Sequence, residues 1–405
     1  MSEFETLNMV SAERLWSHHR TLCREIGPRL LGTEADRRAA GYIESHFARC
    51  GYETYRQEYP CPSWEHRSTR IFTDSGLDIF PPEGGACMFS VPCDVKGKIF
   101  VVSSLEQLQK ADMKGKICLV DNEGELSKTD FRSGDSPVQK SIAEKSPLAL
   151  LVVDSRKDTY NTKTVRNPSF PIPVCAVSAR SGAQLLRERG DVSVCIDAKR
   201  FSSRTWNIFG NMPGTGERKI RIFAHYDTPS DSPGSKDNGS GTAVIMEVAE
   251  ALWRSGLRLP VEFIAFGGEE HDGGIGAAEY VREFPDRVDS TFLAINIDSV
   301  GCCGTDSQAY TTGELDEVTA SLKKRIGEVG GYHEMIVGNV PMSSDHTKFC
   351  RRGIPAIFMH DTQPYFHHSP LDIPRFMSLE RLEDVARIVL GVAVDIGLSI
   401  EGSGP

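Results

Sequence analysis

No apolar run in this chain nears the roughly 18 residues that a membrane span requires; among the longest are Leu148–Val153 and Ile388–Val394. Basic charge is also in short supply, 46 Lys and Arg against 56 Asp and Glu, for a net charge of −10. That balance argues against nucleic acid or an anionic membrane as the main partner. The start, Met1-Ser-Glu-Phe-Glu-Thr6, carries acid where a secretory leader carries base, and no apolar stretch follows, so a cytoplasmic protein is expected. The eleven cysteines form no CxxC pair or zinc-ribbon spacing. In a reducing compartment most are expected as buried free thiols, the adjacent Cys302 and Cys303 included. What remains is ordinary globular composition: 39% hydrophobic, 25% charged and 8% aromatic over 405 residues, enough chain for two or three domains.

The organisation changes twice along the chain. Ala12 to Ile26 places Leu15, Trp16, His19, Leu22, Cys23 and Ile26 at helical spacing before Gly27-Pro28, and a second helix is expected over Glu34–Arg49. Tyr52–Tyr59 reads as extended. From Cys61 to about Ser202 short β-runs alternate with Gly, Pro and Asp, and two nearly repeat: Val95-Lys-Gly-Lys-Ile-Phe-Val-Val102 and Met113-Lys-Gly-Lys-Ile-Cys-Leu-Val120. After Arg204, strands are expected at Lys219–His225, Val261–Phe266, Phe292–Ile297 and Ile354–Met359. Helices between and after them are expected over Thr242–Arg254, Ala277–Arg282, Glu314–Val329 and Ser378–Leu398. Strand–helix alternation implies an α/β sandwich on a mainly parallel sheet.

In such sheets functional groups gather beyond the carboxyl ends of strands. Read in order, those ends give His225-Tyr-Asp227, Glu269-Glu270, Asp298 and His367-His368-Ser-Pro-Leu-Asp372, with Ser235-Lys-Asp237-Asn-Gly-Ser-Gly241 opening the first long helix. Each piece alone is ordinary: a strand-end polar pair, a solvated Glu-Glu turn, a helix cap. Five of these carboxylates, Asp227, Asp237, Glu269, Glu270 and Asp298, converging with imidazoles on one sheet edge are not, because they repel unless protonated or matched by cations. Two divalent ions nearly balance the five charges, and mixed His and carboxylate donors suit zinc, with cobalt or manganese as alternatives. The loop Gly239-Ser-Gly241 lacks the Gly-Lys-Ser/Thr ending of a phosphate cradle.

These residues resemble the co-catalytic zinc aminopeptidase family that also contains glutamate carboxypeptidase II, the glutaminyl cyclases and the transferrin receptor. Its pattern of His-x-Asp, Asp-Asn-x-x-Gly, Glu-Glu, a strand-closing Asp and His-Thr-x-x-Asp corresponds to His225/Asp227, Asp237–Gly241, Glu269-Glu270, Asp298 and His368–Asp372. Ser344-Asp-His-Thr-Lys-Phe349 with Gly353-Ile-Pro-Ala356 extends the match, which covers about 207–398, and Arg29-Leu-Leu-Gly-Thr33 fits the family's opening. The resemblance implies a three-layer α/β/α zinc exopeptidase fold built from 1–60 and 203–405. The doubled Lys-Gly-Lys-Ile module, 61–202, resembles an inserted protease-associated β domain. It also implies that two zinc ions are bridged by Asp237, one held by His225 and Asp298, the other by Glu270 and His368. Glu269 would be the general base and Asp227 the group that orients His225.

Three departures stand out. His367 occupies a place where relatives often carry Tyr, leaving His367 or Tyr365 for the oxyanion. The same change leaves two histidines for one metal position, and the spacing to Asp372 favours His368. The stretch His271-Asp-Gly-Gly-Ile-Gly276 is one residue longer than the family's usual spacing. His346 is a further candidate for lining the site, whereas His18, His19, His46, His66, His333 and His360 are expected to pack or face solvent. The implied activity is an aminopeptidase acting on peptides, with a homo-oligomer compatible with the sequence. A carboxypeptidase or dipeptidase would need a base for the terminal carboxylate, with Lys348, Arg351 and Arg352 as candidates. A single-zinc cyclase or a dead binding scaffold fits less well, because both metal sets and the base are kept.

Overall fold

The computed structural model describes residues 3–121, 136–155, 157–271, 273–329 and 334–402; His333 lies outside them. Two sheets organise the described chain. The larger runs β14 (Glu334–Val337), β13 (Ser307–Thr311), β15 (Ala356–Asp361), β12 (Thr291–Ile297), β10 (Lys219–His225), β11 (Val261–Phe266), β9 (Val192–Asn211), β1 (Glu53–Thr73), β2 (Asp78–Ile79), with β4 (Cys93–Gly97) also on β9. Its centre, β15, β12, β10 and β11, is parallel. The expected strands and helices of the C-terminal half all form, within a few residues at their ends.

Side-chain alternation explains the layering. Ile220, Ile222, Ala224, Val261, Phe263 and Ala265 face one apolar cluster, shared with the helices Glu34–Arg49, Gly241–Ser255 and Leu379–Gly402. Phe223, Ile264 and Phe266 face the opposite cluster, with Ala277 and Tyr280 of the helix Ile275–Glu283 and with Phe349. A sheet covered on both faces buries its middle strands completely, and β10 is buried at all seven positions. Its one arginine there, Arg221, sits opposite Glu262 of β11, and the guanidinium Nε donates to that carboxylate at 2.8 Å and Nη1 to Thr291 Oγ1 at 2.8 Å. A buried ion pair so satisfied is costly to half-remove.

The strand expected at Tyr52–Tyr59 continues for 21 residues as β1 and pairs antiparallel with β9 along nearly its whole length. Cys61 lies opposite Ser203, and beyond that point the ribbon leaves the α/β layers and backs a second sheet. That sheet runs β3 (Gly84–Ala86), β8 (Val174–Ser178), β7 (Ala149–Asp154), β6 (Ile117–Asp121), β5 (Ile99–Val102). The repeated Lys-Gly-Lys-Ile segments become neighbours here: Ile99 pairs with Ile117 and Val102 with Val120 in a parallel register. Residues Ile117, Leu119 and Leu151 face the ribbon's Trp64, Ile71 and Val194, while Cys118, Val120 and Leu150 face Leu108, Val138 and Ile142 of two short helices.

At the amino end, the helix Ala12–Arg20 is capped by Ser11, whose Oγ accepts from Arg14 N at 3.3 Å, and it continues as a wider turn through Ile26. It lies on Gly241–Ser255: Ser11 N donates to Glu247 Oε1 at 2.7 Å and Arg14 Nη2 to the same oxygen at 2.6 Å. Its histidines are buried rather than exposed. His18 Nδ1 meets the Tyr42 hydroxyl at 2.7 Å, and His19 Nε2 donates to Ser235 O at 2.9 Å. Burial, with His46, Arg14 and Arg49 nearby, pushes His18 down to about 3, and burial pushes His19 down to about 4. The unfolded chain takes up these protons near pH 6.5 and the folded one does not. Each imidazole therefore contributes stability above pH 6.5 that is lost as pH falls, at about 1.4 kcal/mol per pH unit. Asp36, pushed up to about 7 by burial, works in the opposite sense. The expected result is a difference: the urea midpoint of His18→Gln falls less steeply than wild type from pH 7 to pH 5, and parallel slopes would refute the assignment.

Candidate metal centre

The carboxyl ends of β10, β11, β12 and β15 bring the expected residues to one place. His225 closes β10; Glu269 and Glu270 follow β11 after Gly267-Gly268; Asp298 follows β12; His367 and His368 lie on the loop after β15. Asp237 enters from the Ser235–Ser240 turn that opens the helix Gly241–Ser255. Its two carboxylate oxygens face different imidazoles. Oδ1 is 3.2 Å from His225 Nε2, which is 3.4 Å from Asp298 Oδ1. Oδ2 is 3.0 Å from His368 Nε2 and 3.4 Å from His367 Nδ1, and His368 Nε2 is 3.4 Å from Glu270 Oε2. Among the described residues, His225/Asp237/Asp298 and Asp237/His367/His368 both form groups able to hold an ion. His368 stands beside Glu270, and His367 joins it on the same Asp237 oxygen.

Donor chemistry and distances fit metal ions. His225 Nε2, Glu270 Oε1 and His367 Nδ1 are buried without a hydrogen bond among the described residues. Ligand atoms about 3.3 Å apart are what a tetrahedral site with bonds of about 2.0 Å requires. The charges fit as well. Burial and Asp237 push Glu270 well above the carboxylate range, and burial pushes Glu269 upward. Asp237 goes the other way: its burial is outweighed by the neighbouring imidazoles of His225, His368 and His367. Crowded carboxylates of this kind release protons on taking up cations.

The cluster is held by groups that bond its backbone. Asp227 Oδ1 and Oδ2 accept from Glu269 N at 3.0 Å and Glu270 N at 3.1 Å, while its Oδ1 is 3.4 Å from His225 Nδ1. His225 Nδ1 also donates to Asp227 O at 3.2 Å, which fixes the tautomer and leaves Nε2 aimed at Asp237. Asp372 accepts from Lys236 N at 2.7 Å and Asp237 N at 3.0 Å and so sets the Asp237 turn. Asn238 ties that turn to β12, donating to Ile297 O at 2.9 Å. Arg29, fully buried, donates to the carbonyls of Tyr226, Leu22, Gly27, Pro233 and Gly234. This is the structural content of Arg29-Leu-Leu-Gly-Thr33: the guanidinium joins the β10 end to the loop before Asp237.

One residue of the cluster carries no motif at all. Lys163, on the segment between β7 and β8, is buried with its ammonium bonded to Glu270 Oε2 and 3.8 Å from Glu269 Oε2. Thr162 beside it donates from both N, at 3.0 Å, and Oγ1, at 3.2 Å, to His368 O. Two divalent ions leave one of the five carboxylate charges unmatched, and Lys163 supplies the remaining positive charge. Burial works against that ammonium, but Glu270 and Glu269 hold it above its ordinary value.

The secondary candidates separate. His367 belongs to the cluster. Tyr365 is half exposed, with its ring packed edge-on against Phe366. His346 is fully buried, but its Nε2 bonds Pro341 O at 2.6 Å, Nδ1 meets Asn296 Nδ2 at 3.1 Å, and its ring stacks on Phe358. Those contacts make it a loop anchor, and its neighbour Asp345 borders the cavity in its place. The histidines expected to be incidental are bonded into the fold: His66 to Asp231 at 2.8 Å, His360 to Asp298 O at 2.8 Å and His46 to Met246 O at 2.9 Å.

Fold and cluster together define a metal-dependent peptidase. Residues 207–393, which carry the parallel strands and every cluster residue except Lys163, match Peptidase family M28. The chain is 26% identical to aminopeptidase YwaD of Bacillus subtilis strain 168, over 93% of this chain and 83% of that one. It is 29% identical to the probable lipoprotein aminopeptidase LpqL of Mycobacterium tuberculosis, over 44% and 36% of the two chains. The fold is shared with BSAP, a zinc aminopeptidase from Bacillus subtilis, at a TM-score of 0.75, 24% identity and 96% and 95% coverage. It is shared also with a peptidase M28 precursor from Shewanella amazonensis, at 0.76, 18% and 97% of both chains.

Proposed function

We propose that this protein is an aminopeptidase that hydrolyses the N-terminal peptide bond of peptides at a two-zinc centre. The observation that carries the reading is the divided Asp237 carboxylate, one oxygen toward His225 and Asp298, the other toward His368 and Glu270. These five residues would hold the ions, with His367 beside the second. When bound, paired zinc ions polarise a carbonyl and lower the pKa of water. The chain's own residues do the rest. Glu269 is the only one of the paired glutamates that reaches the cavity, and it accepts the proton of the attacking water. Burial raises its pKa and Lys163 limits the rise. Asp227 orients His225 and, through two backbone amides, fixes where both glutamates point. His367 is the nearest candidate for steadying the oxyanion.

Three further readings go with this one. Residues 61–202 form a protease-associated-like domain inserted into a peptidase domain of 1–60 and 203–405, in line with the ribbon that leads to the second sheet. The compartment is the cytoplasm, in line with eleven free cysteines. No helix among the described residues is long and apolar enough to cross a membrane.

Mass spectrometry of a mixed peptide pool tests the activity. With free, N-acetylated and C-amidated peptides present, ladders are expected only from free N-termini and are expected to vanish on chelation. Trimming from C-termini, or none with zinc restored, would refute the reading.

A further inference from the structure

A cavity of about 420 Å³ opens beside Glu269. That size is at the small end for ligand pockets and suits one or two residues of a peptide. Its charged walls are uneven. Lys163, Arg166, Lys348 and Arg351 line it, against the two carboxylates of Glu269 and Asp345. Lys163 is committed to Glu270, but the side chains of Lys348 and Arg351 have no ion-pair partner among the described residues. The next residue, Arg352, is different: it faces away and grips Asp289 through Nε at 2.8 Å and Nη2 at 2.6 Å. Lys348 and Arg351 are three apart on one short helical turn, which puts both on the cavity side. Two of the four cations come from the segment between β7 and β8, so both sheets build this wall.

Resting on the aminopeptidase reading, we propose that Lys348 and Arg351 receive a carboxylate of the substrate beyond the scissile bond. The enzyme then favours short peptides whose second residue carries negative charge. A free α-carboxylate of a dipeptide and an acidic side chain at that residue both supply this chemistry. Charged side chains at a partly exposed wall attract such a group from solution, and added salt weakens the attraction.

The test compares kcat/KM for two matched pairs on the zinc-loaded full chain. Leu-Ala against its amide reads the α-carboxylate, and Leu-Glu-amide against Leu-Gln-amide reads the side chain. Charge-assisted bonds of this kind support a preference of about tenfold for the charged member of at least one pair, shrinking in 0.5 M salt. The double substitution Lys348→Met with Arg351→Met is expected to bring that ratio close to one, whereas Arg352→Met leaves it as in wild type. Hydrolysis of all four peptides without preference overturns this inference and leaves the aminopeptidase reading standing. A preference that survives the double substitution overturns the assignment to Lys348 and Arg351. No hydrolysis of any of the four with zinc supplied overturns both readings together.

Discussion

Glu269→Gln is expected to lower turnover at least about 100-fold, the lower part of the range for losing a general base, while zinc content stays as in wild type. The separation follows from the geometry. Glu270 lies against His368, fully buried, with its carboxylate 3.4 Å from that imidazole, whereas Glu269 keeps 14% of its side chain exposed and borders the cavity. Glutamine preserves size and hydrogen bonding but takes up no proton. The backbone amide of residue 269 still meets Asp227, so the strand-end turn is undisturbed. Turnover by peptide hydrolysis and zinc by mass spectrometry are read on the same preparation. Unchanged turnover would remove Glu269 from the reaction; turnover and zinc lost together would make it a ligand instead.

The second large effect is expected at Asp237. Because its two oxygens face two different imidazole groups, Asp237→Ala is expected to empty both metal positions and bring activity below detection. His225→Ala, touching one group, is expected to retain about one ion per chain of the two that such a centre takes. The Asp237 backbone stays anchored by Asp372 and the neighbouring Asn238, so the turn survives truncation of the side chain. A thermal unfolding midpoint near that of the metal-free wild type would show it. If Asp237→Ala keeps one ion bound, the carboxylate is a ligand to a single site and the shared arrangement is wrong.

The α/β half was legible because its strands are parallel and covered on both faces, so each apolar run is short, complete and followed at once by its polar end. That same rule located His225, Glu269, Glu270, Asp298 and His368 without any knowledge of their distances. The β1/β9 ribbon was hidden for two reasons. Its residues alternate weakly, with Glu, Arg and Ser on the outer face, and its partners stand some 140 residues apart, from Glu53↔Asn211 to Thr73↔Val192. Strand pairing leaves no local sign of its partner. Lys163 was invisible for a related reason: nothing in Asn161-Thr162-Lys163 differs from a surface turn until Thr162 meets the carbonyl of His368. Direction was a third blind spot. His346 sits in the motif Ser-Asp-His yet turns toward Pro341 and Phe358, and Lys348 and Arg351 share a face that Arg352 does not.

The contacts of Ser11 and Arg14 with Glu247 span 236 and 233 residues, and this distance sets an order of events on the ribosome. The leading helix emerges first, yet the helix it packs on is made only after the ribbon and second sheet have been translated. At about 5–20 residues per second that wait is on the order of ten to fifty seconds. During it Leu15, Leu22 and Cys23, all buried in the finished core, lack the helix Gly241–Ser255 that completes their cover. The second sheet needs only residues between β1 and β9 and can close earlier. Folding therefore runs from the middle outward, with the peptidase layers joined last.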